Sequence, residues 1–148
     1  MRMNQTRNRE SKLNSRQGLA GIRILLVEDE PDIADLLIFI LETAGAEVMA
    51  FTNAETAFAI LESFHPDILV SNVKLPDYNG DWLIEKIRGH SSPYFRQLPA
   101  IAITSYTREF SESKALNAGF DRFLVKLENL ESIEGVIVEL LSSRDYMD

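Results

Sequence analysis

Short apolar runs alternate with amphipathic stretches along most of this chain. The first run, Ile22-Arg23-Ile24-Leu25-Leu26-Val27, is nearly continuous and rich in branched residues. Such runs fit strands covered on both faces of a parallel sheet. Pro31 then opens a predicted helix, where its missing N–H costs nothing. Ile33, Leu36, Leu37, Ile40 and Leu41 recur at helical spacing and define its inward face, and Gly45 stops it. Glu47 to Phe51 is a second predicted strand. Asn53 caps a second helix with Ala57, Phe58, Ile60 and Leu61 facing inward. The third strand is expected over Asp67 to Ser71, and the next helix over Asp81 to Arg88. Ala100 to Thr104 is a fourth strand, followed by a helix over Thr107 to Asn117 that ends at Gly119. Phe120 to Val125 is a fifth strand, and Leu130 to Leu141 a last helix.

Strands and helices in strict alternation imply right-handed crossovers and a parallel sheet with helices on both faces. The expected fold is an α/β, flavodoxin-like doubly wound (βα)5 unit with a five-stranded parallel sheet of order 2-1-3-4-5. In such sheets ligands bind beyond the carboxyl ends of the strands, near the switch between strands 1 and 3. Those ends carry Glu28-Asp29-Glu30, Asn72, Thr104-Ser105 and Lys126.

Composition narrows the chemistry. The 148 residues, 45% of them hydrophobic, suit one domain with a buried core. No cysteine is present, which removes disulfides, thiol catalysis and cysteine-zinc sites. No apolar run is long enough to span a bilayer, and the N-terminus lacks the apolar stretch of a signal peptide. A soluble cytoplasmic protein without membrane contact is the expectation.

Charge is uneven. Residues 1–21 carry +4, through Arg2, Arg7, Arg9, Lys12 and Arg16 against Glu10, while the whole chain is −8 and residues 22–148 therefore −12. An acidic body argues against direct nucleic-acid binding by the domain. The expected division is a basic flexible N-terminal extension or linker over 1–21, a domain over 22–142 and a C-terminal tail over 143–148. Seven residues follow Leu141, so no effector domain is expected there.

The strand-end residues, taken together, carry a resemblance. The segment Val70-Ser71-Asn72-Val73-Lys74-Leu75-Pro76-Asp77-Tyr78-Asn79-Gly80 resembles the third strand and following loop of a response-regulator receiver domain. In that family the strand ends in an Asp, with Pro four and Gly eight residues on, the spacing of Pro76 and Gly80 from Asn72. The acidic pair Glu28-Asp29, Thr104, the Ala118-Gly119 step, Phe123 and Lys126 also match, over about Ile22 to Leu141. Each residue has a plain reading by itself: acids favour helix starts, Lys126 suits a surface, and Phe123 suits a core. Their order along one chain makes the likeness specific.

The resemblance implies roles. Glu28, Asp29 and the backbone carbonyl of Lys74 would hold Mg²⁺ through oxygen. Lys126 would neutralise the phosphoryl group, Thr104 would hydrogen-bond it, and Phe123 would report the switch. The phosphoacceptor position is Asn72, and a neutral amide is a poor nucleophile, so phosphorylation is not expected there. Ser71 is no substitute, because adjacent strand residues face opposite ways. Mg²⁺ binding is expected to be weakened. The family often has Pro after the lysine, whereas Leu127 follows Lys126 here, so a trans bond is expected.

The expected function is that of a pseudo-receiver in two-component or phosphorelay signalling, not an enzyme. It would act by contact with a signalling protein such as a histidine kinase or an output domain. The face built from the fourth helix, the fifth strand and the fifth helix would contribute Arg108, Phe110, Lys114 and Phe123. Two origins of Asn72 stay open: a natural departure, or a replaced Asp in an otherwise phosphorylatable receiver. A flavodoxin-like cofactor binder is the remaining alternative, disfavoured because no glycine-rich loop follows strand 1.

Overall fold

The computed structural model describes residues 18–105, 112–126 and 130–147, with the side chains of 144–147 left aside. Five strands form one parallel sheet in the order β2-β1-β3-β4-β5, where β1 is Arg23–Val27, β2 Glu47–Phe51, β3 Ile68–Asn72, β4 Ala100–Thr104 and β5 Arg122–Val125. The helices are α1 (Pro31–Thr43), α2 (Ala54–Phe64), α3 (Gly80–Arg88), the single turn α4 (Pro93–Arg96), α5 (Glu112–Ala118) and α6 (Ile133–Met147). The doubly wound expectation and its strand order therefore hold.

Strand alternation divides the core into two layers. Leu25, Val27 and Leu69 face a cluster with Ala57, Leu61, Leu83 and Ile84 from α2 and α3. Ile24, Leu26, Val70 and Ile101 face Leu37 and Leu41 of α1 and Ile133 and Ile137 of α6. Both β3 and β4 are buried along their whole length, as near-continuous apolar runs require. At the edge, β2 has only exposed and half-buried positions, with Val48 and Phe51 half buried.

Local chemistry sets the ends. Pro31 occupies the first turn of α1. Asn53 caps α2, its side-chain oxygen accepting from Thr56 N at 2.9 Å. Gly45 takes a φ of 101°, which allows the chain to turn from α1 into β2. His65 ends α2 with a φ of 55°, and its ring stacks on Tyr94 at 4.2 Å.

Several expected bounds shift. The third strand includes Asn72 and starts after Asp67, whose carboxylate accepts from Arg23 N at 2.8 Å. The fifth strand starts at Arg122, after the turn at Gly119. The last helix begins with a 3-10 turn over Leu130–Ser132 and continues beyond Leu141 to Met147. Turn α4 was not expected, and Leu36 is exposed where periodicity placed it inward. Leu19 is fully buried and its N–H donates to Ala44 O at 2.8 Å, so packing against the domain starts before Ile22. Residues 1–17, the start of the helix expected from Thr107, Arg108, Phe110 and the Lys126–Leu127 bond all lie outside the described residues. Among the described residues, no helix is long and apolar enough to cross a membrane.

Candidate functional site

The sheet register brings the polar strand ends to one place. Val27 pairs with Ser71, Asn72 with Ile103, and Thr104 with Val125, so residues 28, 72, 104 and 126 share one rim. They are the polar side chains the core would otherwise exclude: Glu28, Asn72, Thr104 and Lys126 are all buried. Burial of such groups requires partners.

Asn72 is held at both ends of its amide. Its Nδ2 donates to Glu28 Oε2 at 3.1 Å and to Asp29 Oδ1 at 3.0 Å. Its Oδ1 accepts from Lys74 N at 3.2 Å. The reverse orientation would set Oδ1 against two carboxylates and an amide N–H against another N–H, so this orientation is the one the surroundings select. Glu28 Oε2 also accepts from Glu30 N at 3.0 Å. The other oxygen, Oε1, lies 2.7 Å from Lys126 Nζ, which also reaches Glu30 Oε1 at 3.0 Å.

Lys126 is thus committed to two carboxylates. Glu28 has no exposed side-chain surface and Lys126 has 3%, so this pair is out of solvent, whereas Glu30 is half exposed. Among the described contacts, the three acids Glu28, Asp29 and Glu30 face one cation, Lys126, which pairs with Glu28 and Glu30. Asn72 offsets part of that excess with the positive end of a neutral dipole.

The loop after β3 is fixed by two devices. A Cβ on Gly80 would lie 2.6 Å from Asn72 O and 2.8 Å from Val73 Cα, so only glycine allows α3 to start that close to the strand end. Gly80 N donates to Val73 O at 2.7 Å, closing the loop. Asp77 reaches sideways to α2, accepting from Ala54 N at 3.0 Å and Glu55 N at 2.9 Å. Partial burial works against the Asp77 charge, but hydrogen bonds from Ala54, Glu55, Tyr78 and its own amide outweigh it and hold the carboxyl below the usual 3.8.

Thr104 sits at the rim, and its hydroxyl donates to Ser105 O at 2.8 Å. Ser71 is buried and donates to Asn72 O at 3.0 Å. Phe123 is half buried and packs against the α2–α3 side of the core. The cleft beside Asn72 encloses about 520 Å³ and is lined by Asp29, Asn72, Lys74, Thr104 and Lys114 among others. Among the described residues, no set of three or more His, Cys, Asp or Glu is arranged to hold a metal ion. Glu28 and Asp29 supply the oxygens a hard cation needs. An amide N–H₂ aims at both of them, however, so the set fits such a cation only in part.

Sequence reasoning named Glu28, Asp29, Asn72, Lys74, Thr104, Phe123 and Lys126, and the structure gathers all but Phe123 into direct contact or onto the same rim. It missed the engagement of Glu30 by Lys126 and the clamp made by Asp77. A signal for Asp77 was present, since a carboxylate in a Pro-Asp-Tyr-Asn-Gly turn often accepts from backbone N–H groups.

The family model for the response regulator receiver domain matches residues 24–138. An uncharacterized 14.6 kDa protein in the sodA1 3' region of Leptolyngbya boryana is 44% identical over 110 residues, covering 74% of this chain and 82% of that protein. Regulatory protein VanRc of Enterococcus gallinarum is 30% identical over 125 residues, covering 84% of this chain; the chain spans about half, 52%, of that regulator's length. The crystal structure of a response regulator receiver domain protein (CheY-like) from Methanospirillum hungatei superposes with a TM-score of 0.76 at 29% identity, covering 86% of this chain and 98% of that one.

Proposed function

The chain belongs to the response regulator receiver domain family, and from that premise we propose that it signals by binding partner proteins and does not accept phosphate at position 72. It is a receiver domain of two-component signal transduction and not a catalytic enzyme. The observation that carries the proposal is Asn72 itself, whose amide is spent on Glu28, Asp29 and Lys74. Receiver phosphorylation needs an anionic carboxylate to attack phosphorus, and an amide offers neither charge nor a good lone pair on nitrogen.

Three consequences belong to the same reading. Receiver domains typically bind Mg²⁺, which neutralises charge on a transferred phosphoryl group. Here Glu28, Asp29 and the Lys74 carbonyl would hold the cation, and binding is weakened because Asn72 brings one negative charge fewer. Lys126 reaches Glu28 and Glu30, and the Thr104 hydroxyl donates to Ser105 O. The partner is a signalling protein such as a histidine kinase or an output domain, met in the cytoplasm. The carboxylates that follow β1 would repel a flavin phosphate, which leaves the cofactor-binding alternative without support.

The test is mass spectrometry after incubation with acetyl phosphate and Mg²⁺. The unmodified chain should gain no phosphoryl mass, and Asn72→Asp should gain it. A stoichiometric adduct on the unmodified chain overturns the proposal wherever it maps. An Asp variant that stays unlabelled shows that more than the lost carboxylate blocks the site.

A further inference from the structure

The same loop carries a second feature, pointing away from the acid pocket. Tyr78 is 43% exposed, and its ring lies parallel to that of Trp82 at 4.2 Å with an interplanar angle of 11°. Phe58 of α2 meets Trp82 edge-on at 6.2 Å, and the Lys86 ammonium sits 5.7 Å from the Trp82 ring. Trp82 is therefore covered by its own neighbours, and the ring still open to solvent is that of Tyr78. Its position is set in advance, because Asp77 and Gly80 on either side are anchored to backbone.

Charge says what suits that ring. Glu55 lies one helical turn before Phe58, and Glu85 one turn after Trp82, both exposed. Residues 22–148 carry −12, which attracts a basic partner and repels a phosphate backbone. A flat cation stacks on an aromatic face, and neighbouring carboxylates complete its coordination. Within the chain, Lys86 already places an ammonium against the Trp82 ring.

We propose that the exposed Tyr78 side of the Tyr78–Trp82 stack, with Glu55 and Glu85 on the helical turns next to Phe58 and Trp82, docks a basic, arginine-bearing segment of a partner protein. Because the ring is pre-set, little side-chain freedom is lost on binding. The surface does not depend on Asn72, so its failure and that of the phosphate reading are separable.

The chain has a single Trp, and Trp82 is therefore a built-in reporter of its own stack. The full chain is titrated with a glycine-spaced arginine peptide while Trp82 fluorescence is followed. A saturable change is expected, weakened by salt and by Glu85→Gln, with the lysine version of the peptide binding more weakly. Tyr78→Ala should lose about fivefold in affinity, from one exposed cation–π contact and its stacking area. Tyr78→Phe should keep binding, which also shows that the loop is folded. No saturable change, or equal affinity in Tyr78→Ala, overturns the proposal. So does sedimentation showing Tyr78-dependent self-association, which would make the face an interface between copies of this chain.

Discussion

The pocket around Asn72 and the contacts around Arg88 are both charged centres inside the fold, at opposite ends of β4 and β5, and they are built on opposite plans. Arg88 donates from Nε to Gly119 O at 3.0 Å and from Nη1 to Arg96 O at 3.0 Å and Leu98 O at 2.7 Å. Its Nη2 pairs with Asp121 at 3.2 Å, and Asp121 accepts in turn from Ala100 N at 2.9 Å. There the cation meets the carboxylate of Asp121, and the carbonyls of Gly119, Arg96 and Leu98 accept its other donors. At the other end Lys126 pairs with Glu28 and Glu30, while the amide of Asn72 donates to Glu28 and Asp29, so among the described contacts three acids face one cation and one neutral donor. A polar centre that serves the fold is closed by charge and hydrogen bonds. The centre at the strand carboxyl ends keeps an excess of negative charge among its described contacts.

That contrast is broken most strongly by removing each cation. Lys126→Met leaves Glu28 buried with its counter-ion gone, and should cost about 3–5 kcal/mol at neutral pH. Arg88→Met should cost less, about 2–3 kcal/mol, because Arg88 is a quarter exposed at 24% and water can reach part of what it leaves. Urea unfolding of both variants measures the difference. An Arg88→Met variant that loses more than Lys126→Met would show that the carboxyl-end pocket is wet and that its excess charge is screened.

Restoring the missing charge is the next effect in size. Asn72→Asp replaces a donor 3.0–3.1 Å from two carboxylates with a third carboxylate. Coulomb repulsion at that range is several kcal/mol at an effective dielectric near 20, and water screening and proton uptake reduce the net cost to about 1–2 kcal/mol. The Asp form should melt below the Asn form in EDTA, and excess Mg²⁺ should narrow or reverse the gap, since a ligand bound only by the folded state stabilises it. Equal stability in EDTA, or an equal gain from Mg²⁺, would mean that the amide does not stand in for positive charge.

These centres differ as much in how far they are legible from sequence. The sheet was readable because each strand is a short apolar run and each helix repeats at its own period, signals that are local. The residues around Asn72 were readable because they fall at strand ends, and parallel strands in one sheet align their ends. Arg88 gave no such signal: its partners stand 8 to 33 residues away in turns that have no periodicity. Turn α4 was missed for the same reason, since one helical turn is shorter than any pattern that could reveal it. Leu36 misled because α1 carries more apolar residues than its contact face needs, and Leu36 and Phe39 remain exposed. Leu19 was hidden as a lone apolar residue between Gly18 and Ala20 at the end of a polar, basic segment that reads as tail.

The smallest effect concerns the clamp between the two plans, since Asp77 is a closed, backbone-satisfying contact on the loop of the unbalanced pocket. Its carboxyl sits below 3.8 in the folded chain, where hydrogen bonds to the α2 N-terminus outweigh the opposing effect of burial. A depressed folded value means that the charged form stabilises the fold above the unfolded value. That contribution declines as pH falls through the folded one. Asp77→Asn should therefore lose about 0.5–1 kcal/mol at neutral pH, the cost of a weakened cap on an exposed group. The gap between the two proteins should close as pH drops below 3.8. Paired denaturant melts from neutral to acid pH follow it directly. A gap that stays constant with pH would assign the loss to shape and hydrogen bonding rather than to charge. The loop beneath Tyr78 would then be held by geometry alone, as Gly80 already holds its other end.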